Sequence, residues 1–135
     1  MNFLLGRVGS KEPLIIGGDS AEAGQFPWAA ALFIDGAWFC GGTLISAGHV
    51  LTAAHCVDGA WYVDVQLGSV DVGGSEDSIM VTSFNFEIHP DWNPMTLSND
   101  IAIIKLPDEL EVGKFYSEIV HSIVSGLQTG IRLKI

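Results

Sequence analysis

The sequence predicts an all-β sandwich or barrel, and three observations carry that prediction. Apolar and polar residues alternate over short stretches such as WYVDVQLGS (61–69) and IMVTSFNFEI (79–88), the period of a half-buried strand. Five or six such stretches recur at regular spacing. The segments between them are rich in turn formers, and the chain has Gly 16 against Pro 5, which suits many tight turns between short strands. At 135 residues the chain has room for one compact domain and falls short of two sizeable ones.

Each element has its own justification. FPWAAALFI (26–34) is a continuous apolar run closed by Asp35-Gly36, a dipeptide that favours a hairpin turn. AWFCGGTLIS (37–46) reads as the returning strand, and Gly41-Gly42 within it predicts a bulge or a close approach of backbones. AGHVLTAAHC (47–56) offers small residues and one helical turn at most. In 61–69, Tyr62, Asp64 and Gln66 interleave with Val63, Val65 and Leu67. DVGGSEDS (71–78) is a polar turn, 79–88 is one alternating strand, and HPDWNPMTLSND (89–100) is a long loop. IAIIKLP (101–107) is a short buried strand ended by proline. From there the period changes. Val112, Phe115, Tyr116, Ile119, Val120, Ile123, Val124 and Leu127 fall three and four apart, as on an amphipathic helix. Gly126 and Gly130 weaken its end. The change near residue 111 is the sharpest discontinuity in the chain.

Hydrophobic residues make up 48% and charged residues 16% of the chain, a globular composition far from that of disorder. The formal net charge is -10 with Lys+Arg 6, which argues against a nucleic-acid partner, because phosphate binding needs a basic surface. No run of about 18 apolar residues exists, so no membrane-spanning helix is expected. The opening MNFLLGRVGSKEPL is too short in apolar residues for a signal peptide, whose core takes about 7–15. Any export signal is therefore expected to be absent or to have been lost upstream.

Among residues that carry chemistry, His55 alone reads as a satisfied core histidine and Asp100 alone as a loop carboxylate capping a turn. Cys40 and Cys56 read equally as a bridge or as two buried thiols. His49, His89 and His121 show no spacing that suggests zinc ligation. Trp28, Trp38, Trp61 and Trp92 read as packing or rim residues.

Three stretches change these readings together. IIGG (15–18), LTAAHC (51–56) and SNDIAIIKL (98–106), in this order and spacing, resemble the N-terminal half of a chymotrypsin-like serine peptidase over roughly residues 15–110. AAALFIDGAWFCGGTLIS and HCVDGAWYVDVQLGS are similar to the brachyurin branch, the arthropod collagenolytic serine peptidases. The resemblance implies a fold: the first six-stranded Greek-key barrel of a trypsin-like peptidase. Residues 1–14 are then a pro-segment or disordered N-terminus, 15–110 the barrel, and 111–135 a divergent, helix-patterned tail, with the second barrel absent.

The resemblance also implies roles. A serine hydroxyl is a poor nucleophile until an imidazole takes its proton, and a carboxylate must hold that imidazole in the right tautomer. His55 takes the place of the base and Asp100 that of the carboxylate. A histidine's ordinary pKa near 6.5 suits general-base work. The resemblance favours a Cys40–Cys56 bridge, worth roughly 3 kcal/mol by loop-closure entropy. IIGG implies activation by a cut before Ile15, although Leu14 is not the Arg or Lys that trypsin-like activators usually require. The nucleophile is the gap: no GDSGG-like loop occurs, and Ser117, Ser122 and Ser125 lie in the helix-patterned tail. The oxyanion hole and specificity pocket are expected to be missing with it.

The expectation is a serine-type endopeptidase by family, inactive as this chain stands. Protein or peptide substrates belong to a full-length relative, with no cofactor and no metal, and with secretion implied by family. The alternatives are a non-catalytic binding module or decoy, with the tail covering the exposed barrel face, and an unstable read-through product; a barrel face left uncovered predicts self-association. For the last, Gly113-Lys114-Phe115 can be encoded by a stretch containing a splice-donor-like GTAAGT.

Overall fold

A computed structural model describes residues 17–76, 78–108 and 110. The activation position Ile15 and the tail 111–135 lie outside the described residues. Among the described residues there are seven strands and one helical turn: β1 (Ala29–Ile34), β2 (Trp38–Ser46), β3 (His49–Thr52), α1 (Ala54–Val57), β4 (Val63–Leu67), β5 (Ile79–Ser83), β6 (Asn85–Ile88) and β7 (Ala102–Lys105). They form one antiparallel sheet in the order β5-β4-β1-β2-β3-β7-β6. Within it the run β4-β1-β2-β3 is a Greek key: three strands joined by hairpins, with the fourth returning beside the first.

The two outermost strands, β5 and β6, are separated in the chain by Phe84 alone. One bent segment therefore lies at both ends of the sheet, which makes the sheet curl back on itself as a barrel does. Ser83, at the bend, is buried, and its hydroxyl donates to the carbonyl of Lys105 at 2.6 Å. The all-β barrel expectation holds. The strand count differs from the sequence reading for two physical reasons. The single alternating stretch 79–88 is broken by the bend, and His49–Thr52 is a strand that its small-residue surroundings concealed. It pairs with both β2 and β7, so partners distant in sequence impose the extended form.

The core follows the alternation. Leu32 and Ile34 of β1, Val63 and Val65 of β4, Val50 of β3 and Ile104 of β7 are fully buried. Gln66 is the polar exception. Buried, it accepts from the Gly73 N–H and donates to the Asp71 carbonyl, so its amide binds the 71–73 turn down onto the barrel. Asp35 and Gly36 both take positive φ, 52° and 64°, as both central residues of a type I′ turn require. The Asp35 carboxylate then accepts from the Trp61 and Tyr62 N–H groups at 2.9 and 3.0 Å, which ties the hairpin to the start of β4. Gly42 is the close approach that the glycine pair predicts. A Cβ there would meet Val50 Cγ1 at 2.8 Å and the Leu51 carbonyl oxygen at 3.1 Å, whereas one on Gly41 would meet nothing. The register irregularity falls elsewhere, between Leu44 and Ser46.

Candidate functional site

The site starts from a defect in a very short helix. α1 has one turn, and its N-cap, Ala53, has no side chain able to accept a hydrogen bond. The first N–H groups of any helix lack intrahelical partners. Here the His55 N–H is satisfied from a distance, by Asp100 Oδ1 at 2.8 Å across a sequence separation of 45. The other carboxylate oxygen, Oδ2, lies 2.7 Å from His55 Nδ1. One carboxylate thus fixes both the backbone and the ring of the same residue. The two contacts leave the imidazole little freedom to rotate, and they place the ring proton on Nδ1 when the histidine is neutral. Nε2 then carries the free lone pair.

Asp100 is held as an anion. Its carboxyl lies below the ordinary aspartate range, chiefly because the His55 N–H donates to it. Partial desolvation opposes the shift, and the bond to the ring adds to it. The side chain of His55 is 56% exposed and that of Asp100 27%, so the imidazole edge faces outward from the barrel.

Three supports aim these groups. Thr52 donates to the Gly41 carbonyl at 2.9 Å, locking the end of β3 to β2 just before the helical turn. The disulfide Cys40–Cys56 joins β2 to the residue after His55. Trp92 Nε1–H donates to Asp58 Oδ2 at 2.9 Å, anchoring the loop that carries Asp100 against the end of α1. The loop itself is wound on its own polar groups. The Asn93 side chain accepts from the N–H groups of Met95 and Thr96, and Asn99 Nδ2 donates to the Asp91 carbonyl. Leu97 and Asn99 take positive φ.

Of the residues singled out from the sequence, His55, Asp100, Cys40 and Cys56 come together at one point. His49 and His89 do not join them. The His49 ring pairs with the Ser46 hydroxyl at 2.8 Å, and the His89 ring accepts from the Asp91 N–H at 3.1 Å. His121, Ser117, Ser122 and Ser125 lie outside the described residues, as does Ile15. Trp28 and Trp92 pack against the core, and Trp38 and Trp61 are exposed at 66% and 82%. The positioning roles of Thr52, Asp58 and Trp92 were not read from the sequence. Trp92 carried only its aromatic character there, and its partner Asp58 is 34 residues away.

Cys56 Sγ and His55 Nε2 lie 3.6 Å apart. A disulfide sulfur has no proton to give, and Nε2 of the Nδ1–H tautomer has none either, so this is a packing contact. As arranged, the site can accept a proton at Nε2 and stabilise the resulting cation through Asp100.

Comparison with known proteins places this geometry in context. The family model described as Trypsin matches residues 15–123, a span that runs past the change of period near residue 111. Brachyurin from Leptuca pugilator is 48% identical over 94 residues, covering 69% of this chain and 42% of that protein. Chymotrypsin-C from Rattus norvegicus is 38% identical over 104 residues, covering 73% and 39%. A solved structure described as HL collagenase superposes with a TM-score of 0.61 at 39% identity, covering 72% of this chain and 45% of that one. The chain thus spans about two-fifths of the length of the curated relatives it matches.

Proposed function

The chain belongs to the trypsin family of chymotrypsin-like serine peptidases, on the arthropod collagenolytic branch, and from that premise we propose that it carries the general-base half of a serine endopeptidase's active site. His55 Nε2 takes the proton of a serine hydroxyl as that oxygen attacks a peptide carbonyl. Asp100 holds the Nδ1–H tautomer and stabilises the imidazolium until the proton passes to the leaving amine. An acyl-enzyme forms and water then releases it. The observation that carries the proposal is the double grip of Asp100 on His55 at 2.8 and 2.7 Å, which leaves only Nε2 free.

No GDSGG-like loop occurs in the 135 residues, so the reading for this chain by itself is that it hydrolyses nothing. A fluorophosphonate probe, which labels an activated serine, tests this. No labelling of the purified chain is expected, and stoichiometric labelling would overturn the inactive reading. The base half is tested separately by proton NMR. A low-field Nδ1–H resonance should be present and should vanish in Asp100→Asn; its survival there would sink the assignment.

For the whole protein we propose protein substrates, collagen among them, since one structural neighbour is described as a collagenase. The disulfide fits an oxidising, extracellular setting, and among the described residues no helix is long and apolar enough to cross a membrane. Activation by a cut between Leu14 and Ile15 needs a peptidase that accepts leucine before the bond.

One observation favours a second reading, a non-catalytic module that self-associates. Trp61 and Phe84 are 82% and 76% exposed, flanking Tyr62, whose ring lies 6.3 Å from that of Phe84. Light scattering decides it: a monodisperse monomer at high concentration would rule self-association out.

A further inference from the structure

We propose that reduction of the Cys40–Cys56 bridge converts this site into a tetrahedral binding site for a thiophilic divalent cation such as Zn²⁺, formed by Cys40 Sγ, Cys56 Sγ and His55 Nε2. Among the described residues these three ligating atoms lie within 4.8 Å of one another. The inference rests on the geometry and not on the peptidase reading.

Three features of the site support it. Nε2 is the ring nitrogen that Asp100 leaves free, and it already lies 3.6 Å from Cys56 Sγ. In a tetrahedral zinc centre, with Zn–S near 2.3 Å and Zn–N near 2.0 Å, neighbouring sulfur and nitrogen ligands sit about 3.5 Å apart. That one edge of the tetrahedron has its required length already in the bridged form, while the two sulfurs, bonded to each other there, must part on reduction before both can ligate one ion. The second feature is the Asp100–Nδ1 hydrogen bond of 2.7 Å. A metal-ligating histidine characteristically donates its other N–H to a carboxylate, which fixes the ring and raises its basicity. The third is access. The His55 side chain is 56% exposed, so a cation can reach Nε2 from solvent, and water can take the fourth position. Two thiolates and one imidazole with an open position are a known zinc donor set.

The chemistry balances with a thiol reductant as the named reagent. Two reductant thiols supply two electrons and two protons to the sulfur–sulfur bond, giving two protein thiols and one reductant disulfide. Zn²⁺ then binds both sulfurs and Nε2 and releases two protons to solvent. The bound cation occupies the lone pair that general-base catalysis needs, so the same event would silence His55.

Co²⁺ serves as the spectroscopic probe, with Zn²⁺ added in competition. The reduced chain should bind one Co²⁺ per chain, with the absorption of a tetrahedral centre and a thiolate-to-cobalt charge-transfer band. The oxidised chain should show neither. His55→Ala should lose the tetrahedral spectrum. Asp100→Asn should weaken the site about 10- to 100-fold. This last variant separates a folded site from an unfolded one. Asp100 reaches His55 only through the fold, so a reduced, unfolded chain binding through its cysteines would not respond to the change. Equal binding by oxidised protein, two chains per metal, no binding by reduced protein, or affinity indifferent to Asp100→Asn would each overturn the proposal. None of these readouts needs a nucleophilic serine, so the proposal can fail while the peptidase reading stands.

Discussion

The β1–β4 pair and the 89–101 loop are positioned by opposite means. In β1 and β4, Leu32, Ile34, Val63 and Val65 are fully buried, and the register runs unbroken from Ala30↔Leu67 to Ile34↔Val63. In β1 buried and half-buried positions alternate, so a one-residue slip would move each of these side chains to the opposite face of the sheet. The 89–101 loop has almost no core. It is held by Asn93, Asn99 and Trp92 through bonds to nearby backbone and to Asp58, and it delivers Asp100. The apolar region supplies the stability, and the polar one converts that stability into a fixed distance between a carboxylate and an imidazole. A change in the first should cost folding free energy, and a change in the second should cost geometry.

Leu32→Ala should break the comparison most severely if it is wrong. Removing a fully buried leucine side chain costs about 2–5 kcal/mol. Urea unfolding should show a large fall in midpoint, while the Nδ1–H resonance of whatever folds stays in place. A loss below about 1 kcal/mol would mean that the β1–β4 interior is not where stability resides. Gly42→Ala should come next. Its Cβ meets Val50 Cγ1 at 2.8 Å and the Leu51 carbonyl oxygen at 3.1 Å, and the backbone contact cannot move aside as a flexible side chain would. Overpacking of this kind costs about 1–3 kcal/mol. Gly41→Ala is the matched control, with open space around its Cβ, and should be close to neutral by the same unfolding measurement.

Asn99→Ala sharpens the other side. Asn99 has φ 57° and donates to the Asp91 carbonyl at 2.8 Å. Alanine tolerates that backbone less well and makes no such bond, for a cost of about 1 kcal/mol. Because Asn99 precedes Asp100, the displacement should appear at His55 as a shifted or broadened Nδ1–H signal. A shift in stability with no change at His55 would show that the loop's local bonds do not aim the carboxylate.

These two modes of positioning also explain what could be read from the sequence. The alternation in 61–69 and the Asp35-Gly36 turn depend on residues close in the chain, and both were legible. β3 was not, because His49–Thr52 is extended by partners that arrive from Gly42-side β2 and from β7, more than 50 residues later in the chain for His49↔Lys105. The stretch 79–88 concealed its bend because the only mark of it is a slip of phase at Thr82-Ser83, from Ile79 and Val81 to Phe84, Phe86 and Ile88, where the chain changes sheet edge. Juxtaposition of His55 and Asp100 was legible only through family resemblance. Nothing local in SNDIA states that its carboxylate will satisfy an orphan N–H of a helix 45 residues earlier.

The smallest expected effect is in acid, and its sign follows from the direction of the Asp100 shift. The folded-state pKa lies below the ordinary value of 3.8, first through the His55 N–H bond and then, against a contribution from burial, through the ring. The folded protein therefore holds its proton less tightly than the unfolded chain. The stabilisation is fully present above pH 3.8 and is lost as pH falls through the depressed folded value. Asp100→Asn retains an oxygen that can accept from the His55 N–H, but its amide cannot accept from Nδ1–H, and it does not titrate. The part of the stability difference between wild type and this variant that comes from Asp100 ionisation should therefore shrink below pH 3.8. Because the pair is open to solvent, the difference should be modest and weaken further with salt. Urea midpoints for the two proteins across this range measure it. A difference that widens in acid would mean that the Asp100 contacts favour the protonated acid, and the anionic grip on His55 would have to be abandoned.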